Sequence, residues 1–292
     1  MEQDTQEWHE FRRNKIGASD APIILGISPW KTPYQLWEEK VFGKVYEQTS
    51  SMARGKALEP LARETFEKMT GIPVMPKVVV HKQRKWQMAS LDGITFDNTT
   101  IVEIKCPSAE IHGMAKEGKI PDHYMAQIQH QLAVTEAQKA FYFSFDGEKG
   151  ALVEVFENEE FISDLVEKEE KFYGLMMNQE PPILTERDYE VREDEQWKLV
   201  ADEWLSVHAS LKSLEEKEEA LRQQLLHLSK DRNTKGAGIM LTKYACKGRV
   251  DYDAVPELKN VNLNQYRKAS CQKWRISACQ QRDGDGISKS SI

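Results

Sequence analysis

The stretch Ser90-Leu-Asp-Gly-Ile-Thr-Phe-Asp-Asn-Thr-Thr-Ile-Val-Glu-Ile-Lys-Cys-Pro107 holds three ionisable side chains that could act together. Asp92 precedes a polar turn. Beyond the turn, Glu103 and Lys105 stand two residues apart in an apolar run. Side chains at i and i+2 of a strand share a face, so Glu103 and Lys105 point one way while Val102 and Ile104 point into a core. A cross-strand ion pair would explain Glu103 and Lys105 but leave Asp92 over. A second arrangement uses all three. Carboxylates on adjacent strands, Asp92 and Glu103, with the backbone carbonyl of Ile104 between them, supply the oxygen ligands that Mg²⁺ takes, and Mn²⁺ would fit as well. Such a cation relieves the repulsion between the two acids. Lys105 on the same face can orient or deprotonate a water and balance an oxyanion. The chemistry implied is metal-assisted phosphodiester hydrolysis.

These residues need a scaffold, and the sequence outlines one. Residues 5–14 pattern as a short amphipathic helix, and Ser19 or Asp20 can cap a second that runs to Leu25. Thr32-Pro33 opens another, which Gly43 ends. Residues 50–71 form a long helical pattern, with Pro60 expected to bend it or start its second part. Three strand-like runs follow, VMPKVVVHKQ, WQMASLDGITFD and TTIVEIKCP. The helix HYMAQIQHQLAVTEA, the strands KAFYFSFDG and GALVEVFE, and a helix over 158–178 complete the set. The expected fold class is α/β (α+β), a mixed sheet flanked by helices.

With 292 residues, 40% hydrophobic and 30% charged, the chain is expected to be a soluble globular protein. No apolar run approaches the roughly 20 residues that span a membrane. The acidic N-terminus MEQDTQEWHEF lacks the apolar core of a signal peptide. Cys106, Cys246, Cys271 and Cys279 show no Cys-x-x-Cys spacing, so free thiols in a reducing cytoplasm are expected rather than disulfides or zinc.

The net charge of −7 is unevenly spread. Residues 1–145 are neutral, 146–229 carry −14 and 230–282 carry +8. In the acidic part, Trp197, Val200, Trp204, Val207, Leu211, Leu214, Glu218, Leu221, Leu225 and Leu228 recur in alternating steps of three and four, a heptad seam with one acidic interruption. Such a helix either lies on its own domain or forms a coiled-coil arm or oligomer contact. In the basic part, residues 239–255 suggest a hairpin turning at Lys247-Gly248. Lys247, Arg249, Arg267, Lys268, Lys273 and Arg275, with Trp274 among them, are candidate DNA contacts, because basic residues interleaved with aromatics grip phosphates and stack on bases. The expected organisation is a core over 1–185, the heptad helix over 186–230, a small basic module over 231–282 and a disordered tail over 283–292.

Taken with its neighbours, the acidic motif resembles the core of the PD-(D/E)xK nuclease superfamily, and the flanking segments resemble its lambda-exonuclease branch, the YqaJ-type viral recombinases. EWHEFRRNKIGASD (7–20) is similar to that branch's opening segment, ARGKALEPLARETFE (53–67) to its Arg-Gly-x3-Glu helix, and HYMAQIQHQLAVT (123–135) to a helix beside its catalytic centre. Leu91 stands where proline gives the superfamily its name. The resemblance covers roughly residues 7–175. It implies a restriction-endonuclease-like fold, a catalytic set of Lys105, Glu59 and Gln129 with Gln127 as a neighbour, and a pocket of Arg12, Ser19 and Ser90 for a terminal 5′-phosphate.

The implied activity is an Mg²⁺-dependent exonuclease that resects linear duplex DNA from 5′ ends, leaving 3′ overhangs for a single-strand annealing protein. The resemblance further implies a trimer and a bacterial cytoplasm visited by phage. An endonuclease or nickase on the same fold shares the metal chemistry. A DNA-binding recombination module with little catalysis would explain the appended basic part.

Overall fold

A computed structural model describes residues 6–44, 50–259, 261, 263–266 and 274–277. The chain divides into two compact units, Met1–Tyr189 and Glu190–Ile292.

In the first unit, α1 (Gln6–Arg13) leads through β1 (Ile16–Gly17) and a 3-10 turn (Ala18–Asp20) into α2 (Ala21–Ile24). Helix α3 (Pro33–Phe42) starts and stops where local chemistry dictates. The Thr32 hydroxyl accepts from Gln35 N–H, the Gln35 side chain accepts from Thr32 N–H, and Gly43 closes the helix at φ +70°. Helix α4 (Ser50–Thr70) runs on through Pro60 as one helix. Strands β2 (Met75–Val80), β3 (Gln87–Ile94) and β4 (Thr100–Lys105) follow, then α5 (Ala109–Lys116), α6 (Asp122–Thr135), β5 (Lys139–Phe145), β6 (Gly150–Val155) and α7 (Glu159–Asn178).

The six strands form one mixed sheet flanked by helices. Strand β4 pairs with β5 in parallel, while β3 pairs antiparallel with β2 and with β4. Met88 pairs with Val80 on one edge of β3 and with Gly17 of β1 on the other. That second edge also carries β4, but only at Gly93↔Val102 and Ile94↔Ile101. Strands β1 and β4 therefore hold opposite ends of one edge and leave Ala89–Asp92 between them. The sheet forks at this place.

Each face of the fork is packed. Val102 and Ile104 meet Ala62 and Phe66 of α4, while Ile101 joins Leu91 and Tyr142 beneath Ile128 and Leu132 of α6. Gly93 lies where these layers close. A β-carbon there would sit 2.5 Å from Val102 Cγ1 and 2.7 Å from Val74 Cγ2. Gly93→Ala should therefore cost about 1–3 kcal/mol by overpacking, seen as a lowered melting temperature. An unchanged melting curve would show that Val74 and Val102 yield.

Helix α6 is also fastened by a buried ion pair. His130 Nδ1 donates to Glu169 Oε1 at 2.6 Å and Nε2 to the Met88 carbonyl at 2.9 Å. Both ring nitrogens face acceptors, which suits the imidazolium. Burial pulls its pKa down, but the Glu169 charge and the two hydrogen bonds raise it above the ordinary 6.5. A raised folded-state value means that the stabilisation is complete below the unfolded-state pKa and fades as pH rises through the folded one. Relative to His130→Gln/Glu169→Gln, the wild type should lose stability steadily above about pH 6.5. Melting curves across pH 6–9 test this, and a constant gap would refute it.

In the second unit, Asp194 caps α8 (Glu195–Ser229) by accepting from Trp197 N–H at 3.0 Å. Strands β7 (Thr234–Gly236) and β8 (Ile239–Leu241) form a hairpin. Its turn is Ala237-Gly238, at φ +47° and +79°. This corrects the expected turn at Lys247-Gly248, where no strand forms. Two successive left-handed residues suit a tight hairpin, and the Gly-Ala-Gly run that supplies them looks, in sequence, like a plain chain break. The expected tail over 283–292 lies outside the described residues.

Candidate active site

Asp92 leaves β3 beside the fork. Its Oδ2 accepts from Ile104 N–H at 2.8 Å, a backbone donor that β3 leaves unpaired where the strands part. Arg63 of α4 donates through Nε to the Asp92 carbonyl at 2.8 Å and through Nη2 to Glu59 Oε1 at 2.5 Å. Glu59 is thereby carried to the Asp92 side of the site. Desolvation, then the charge of Glu103, raises the Asp92 pKa well above the carboxylate range.

Glu103 is 1% exposed. Its Oε1 accepts from Lys105 Nζ and from Gln127 Nε2 at 2.6 Å, and its Oε2 accepts from Gln131 Nε2. Burial lowers the Lys105 pKa, but the carboxylates of Glu103 and Asp92 outweigh burial and raise it above the usual lysine value. Lys105 also lies over the Tyr124 ring, 5.3 Å from its centroid. In this arrangement it is an ammonium ion that balances two acids.

At the β1 end of the fork, Arg12 Nη2 donates to Ser19 Oγ at 2.5 Å and to Asp20 Oδ1 at 3.1 Å. Asp20 is buried. It is held by Lys40 Nζ at 2.7 Å and by Gly17 N–H at 2.8 Å. Burial raises its pKa, but Lys40 and Arg12 outweigh that and leave it well below the ordinary carboxylate range. Across the fork, Trp8 Nε1 donates to Ser90 Oγ at 3.2 Å.

One cleft of about 180 Å³ is lined by Trp8, Arg12, Ser19, Ser90, Asp92, Glu103, Lys105 and Gln127 among others, with Glu59 outside its lining. The fold thus gathers Arg12, Ser19, Ser90, Asp92, Glu103 and Lys105 from three separate segments.

Gln129 is different. Its Nε2 donates to the Phe156 carbonyl and its Oε1 accepts from Asn158 N–H, both at 2.9 Å. It ties the end of β6 to the start of α7, beside a larger, mostly apolar cavity of about 400 Å³. The expectation that Gln129 reaches the centre is corrected by helical geometry, since two residues along a helix turn a side chain to the far side. Gln127 and Gln131, four apart, share the face that meets Glu103. That spacing is visible in the sequence and would have identified them. Nothing local signals Asp20 and Lys40, which meet only through tertiary packing.

Two mutually repelling carboxylates and a backbone carbonyl are hard oxygen ligands, which fit Mg²⁺ or Mn²⁺. Among the described residues no three His, Cys, Asp or Glu side chains form a cage.

Of the candidate DNA contacts in the second unit, Lys247, Arg249, Trp274 and Arg275 are exposed. Arg267, Lys268 and Lys273 lie outside the described residues.

Residues 7–138 match the YqaJ-like viral recombinase domain. The chain is 32% identical over 180 residues to the uncharacterized protein YqaJ of Bacillus subtilis (strain 168), covering 59% of this chain and 56% of that one. It is 24% identical over 165 residues to protein D345L of African swine fever virus (strain Badajoz 1971 Vero-adapted), covering 46% of each. The match thus spans about half the length of these curated relatives. Among solved structures it is similar to the alkaline exonuclease LHK-Exo of Laribacter hongkongensis, at 27% identity and a TM-score of 0.53, covering 60% of this chain and 94% of that one. The structure of LHK-Exo in complex with dAMP gives 26% and 0.54 over the same shares.

Proposed function

We propose that this chain, which carries a YqaJ-like viral recombinase domain over residues 7–138, is a metal-dependent exonuclease. Its substrate is linear duplex DNA, degraded from phosphorylated 5′ ends to leave 3′ overhangs for a single-strand annealing protein. The observation that carries this reading is the shared cleft. Arg12, Ser19 and Ser90, which suit a terminal phosphate, line the same small space as Asp92, Glu103 and Lys105. An enzyme that cuts within a strand has no need of an end pocket. The likeness to an alkaline exonuclease, one of whose structures holds dAMP, supports the same reading.

Asp92, Glu103 and the Ile104 carbonyl would hold Mg²⁺, which when bound polarises a phosphoryl oxygen and lowers the pKa of a water. The chain's own groups do the rest. Gln127 and Gln131 fix the orientation of Glu103, so its oxygens need little rearrangement. The Lys105 ammonium would donate hydrogen bonds to the developing oxyanion and help orient the attacking water. Arg12 offers its guanidinium to the terminal phosphate, with Asp20 holding its orientation and Ser19 and Ser90 adding hydroxyl donors. A second unit with exposed Lys247, Arg249 and Arg275 suits phosphate contacts along the duplex.

Digestion with Mg²⁺ tests the proposal, using linear duplex with 5′-phosphate, the same duplex with 5′-hydroxyl, and closed circular plasmid. Loss of the phosphorylated linear strand with the circle intact is expected. A nicked or linearised circle would make the enzyme an endonuclease and overturn the end-dependent reading.

A further inference from the structure

Helix α8 is 35 residues long, about 52 Å at the usual rise. Every seam residue but the half-buried Trp204 is exposed. Trp197, Val207, Leu214 and Leu228 are each more than half exposed, and Ser229 is its one buried residue. Monomers rarely leave so long an apolar strip to water. A strict alternation of three and four is the pattern whose knobs need the holes of another helix of the same kind.

The charges decide how two such helices can meet. In a parallel, in-register pair each seam residue faces its own copy, so Glu218 would face Glu218 in the core. Lys217 would lie against Arg222 of the other copy across the flank, a second like-charge contact. An antiparallel pair avoids both. One register matches every seam position: Trp197 faces Leu228, Val200 faces Leu225, Trp204 faces Leu221, Val207 faces Glu218, and Leu211 faces Leu214. The two helices then overlap end to end. On the flanks His208 meets Glu215, and Lys217 meets the neutral Ser210. Like charges side by side set helix orientation in this way. The one acidic seam position faces an apolar residue near the middle instead of its own image.

We propose that α8 is a self-association surface on which a second copy of this chain docks antiparallel. The occupant is the same helix of that copy, because its seam is self-complementary in full register and its charges reject the parallel alternative. The proposal is independent of the nuclease reading and concerns the second unit alone.

The full chain tests it in two ways. By light scattering or sedimentation, the wild type should have about twice the mass of Leu211→Glu/Leu214→Glu at equal concentration. Equal masses would overturn the proposal. In a background with the native cysteines replaced by serine, Val200→Cys and Leu225→Cys should not cross-link when each is oxidised alone. Mixed, they should cross-link to each other, since the antiparallel register sets them face to face and holds like positions roughly 37 Å apart. Self-cross-linking of Leu225→Cys would show parallel helices, and no cross-link in the mixture would show no pairing. Either result overturns the proposal even if the glutamate variant fails to fold.

Discussion

Replacing Lys105 with alanine should lower the rate of strand cleavage by about 10²–10⁴-fold, the range for losing a positioned proton donor or oxyanion partner. Duplex binding should persist, because Lys105 sits within the cleft and phosphate contacts elsewhere carry most of the affinity. The substitution has a second effect that must be separated from the first. Lys105 balances Glu103 and Asp92, so the variant leaves two near-buried acids facing each other. Its melting temperature without divalent ions should fall, and adding Mg²⁺ should restore more of it than in the wild type. Cleavage is therefore to be compared at saturating Mg²⁺, with binding measured on the same preparation. Cutting that survives within tenfold would remove Lys105 from the catalytic set.

Arg12→Ala should remove the preference for phosphorylated ends. A charge-assisted hydrogen bond to an anion is worth about 1.5–3 kcal/mol, or roughly 10–100-fold in rate. That loss should fall on the 5′-phosphate substrate and leave the 5′-hydroxyl rate nearly unchanged. Asp20 keeps Lys40 and Gly17 as partners, so the buried acid is not orphaned and the fold should survive. Ser19→Ala should move the same ratio in the same direction by less. If Arg12→Ala slows both substrates equally, the residue supports the fold or the duplex, and the end pocket is misassigned.

Much of this arrangement is legible in the sequence. The two-residue period of Ile101–Lys105 separates Glu103 and Lys105 from Val102 and Ile104, and the sheet packs them on opposite faces. Thr32-Pro33 and Gly43 bound α3 because capping is local chemistry. Other features needed the third dimension. Strand β1 is two residues long and exists only through its parallel partner β3, so no periodicity announces it. The Asp20–Lys40 pair joins residues 20 apart on different helices. Likeness of segment points to Gln129, but helical phase is the better guide and points to Gln127 and Gln131.

The fork in the sheet also bears on how the protein is made. Strand β4 shares two residue pairs with β3 but six with β5. The intervening residues 106–138 must close as a loop before that parallel pairing forms, and non-local pairings form slowly. Asp92 and Glu103 are close in sequence, yet Glu103 takes its place only when β5 and α6 have arrived. During synthesis a chain that ends before them carries both carboxylates without holding them in register. Unfinished chains therefore lack the assembled carboxylate pair by topology alone.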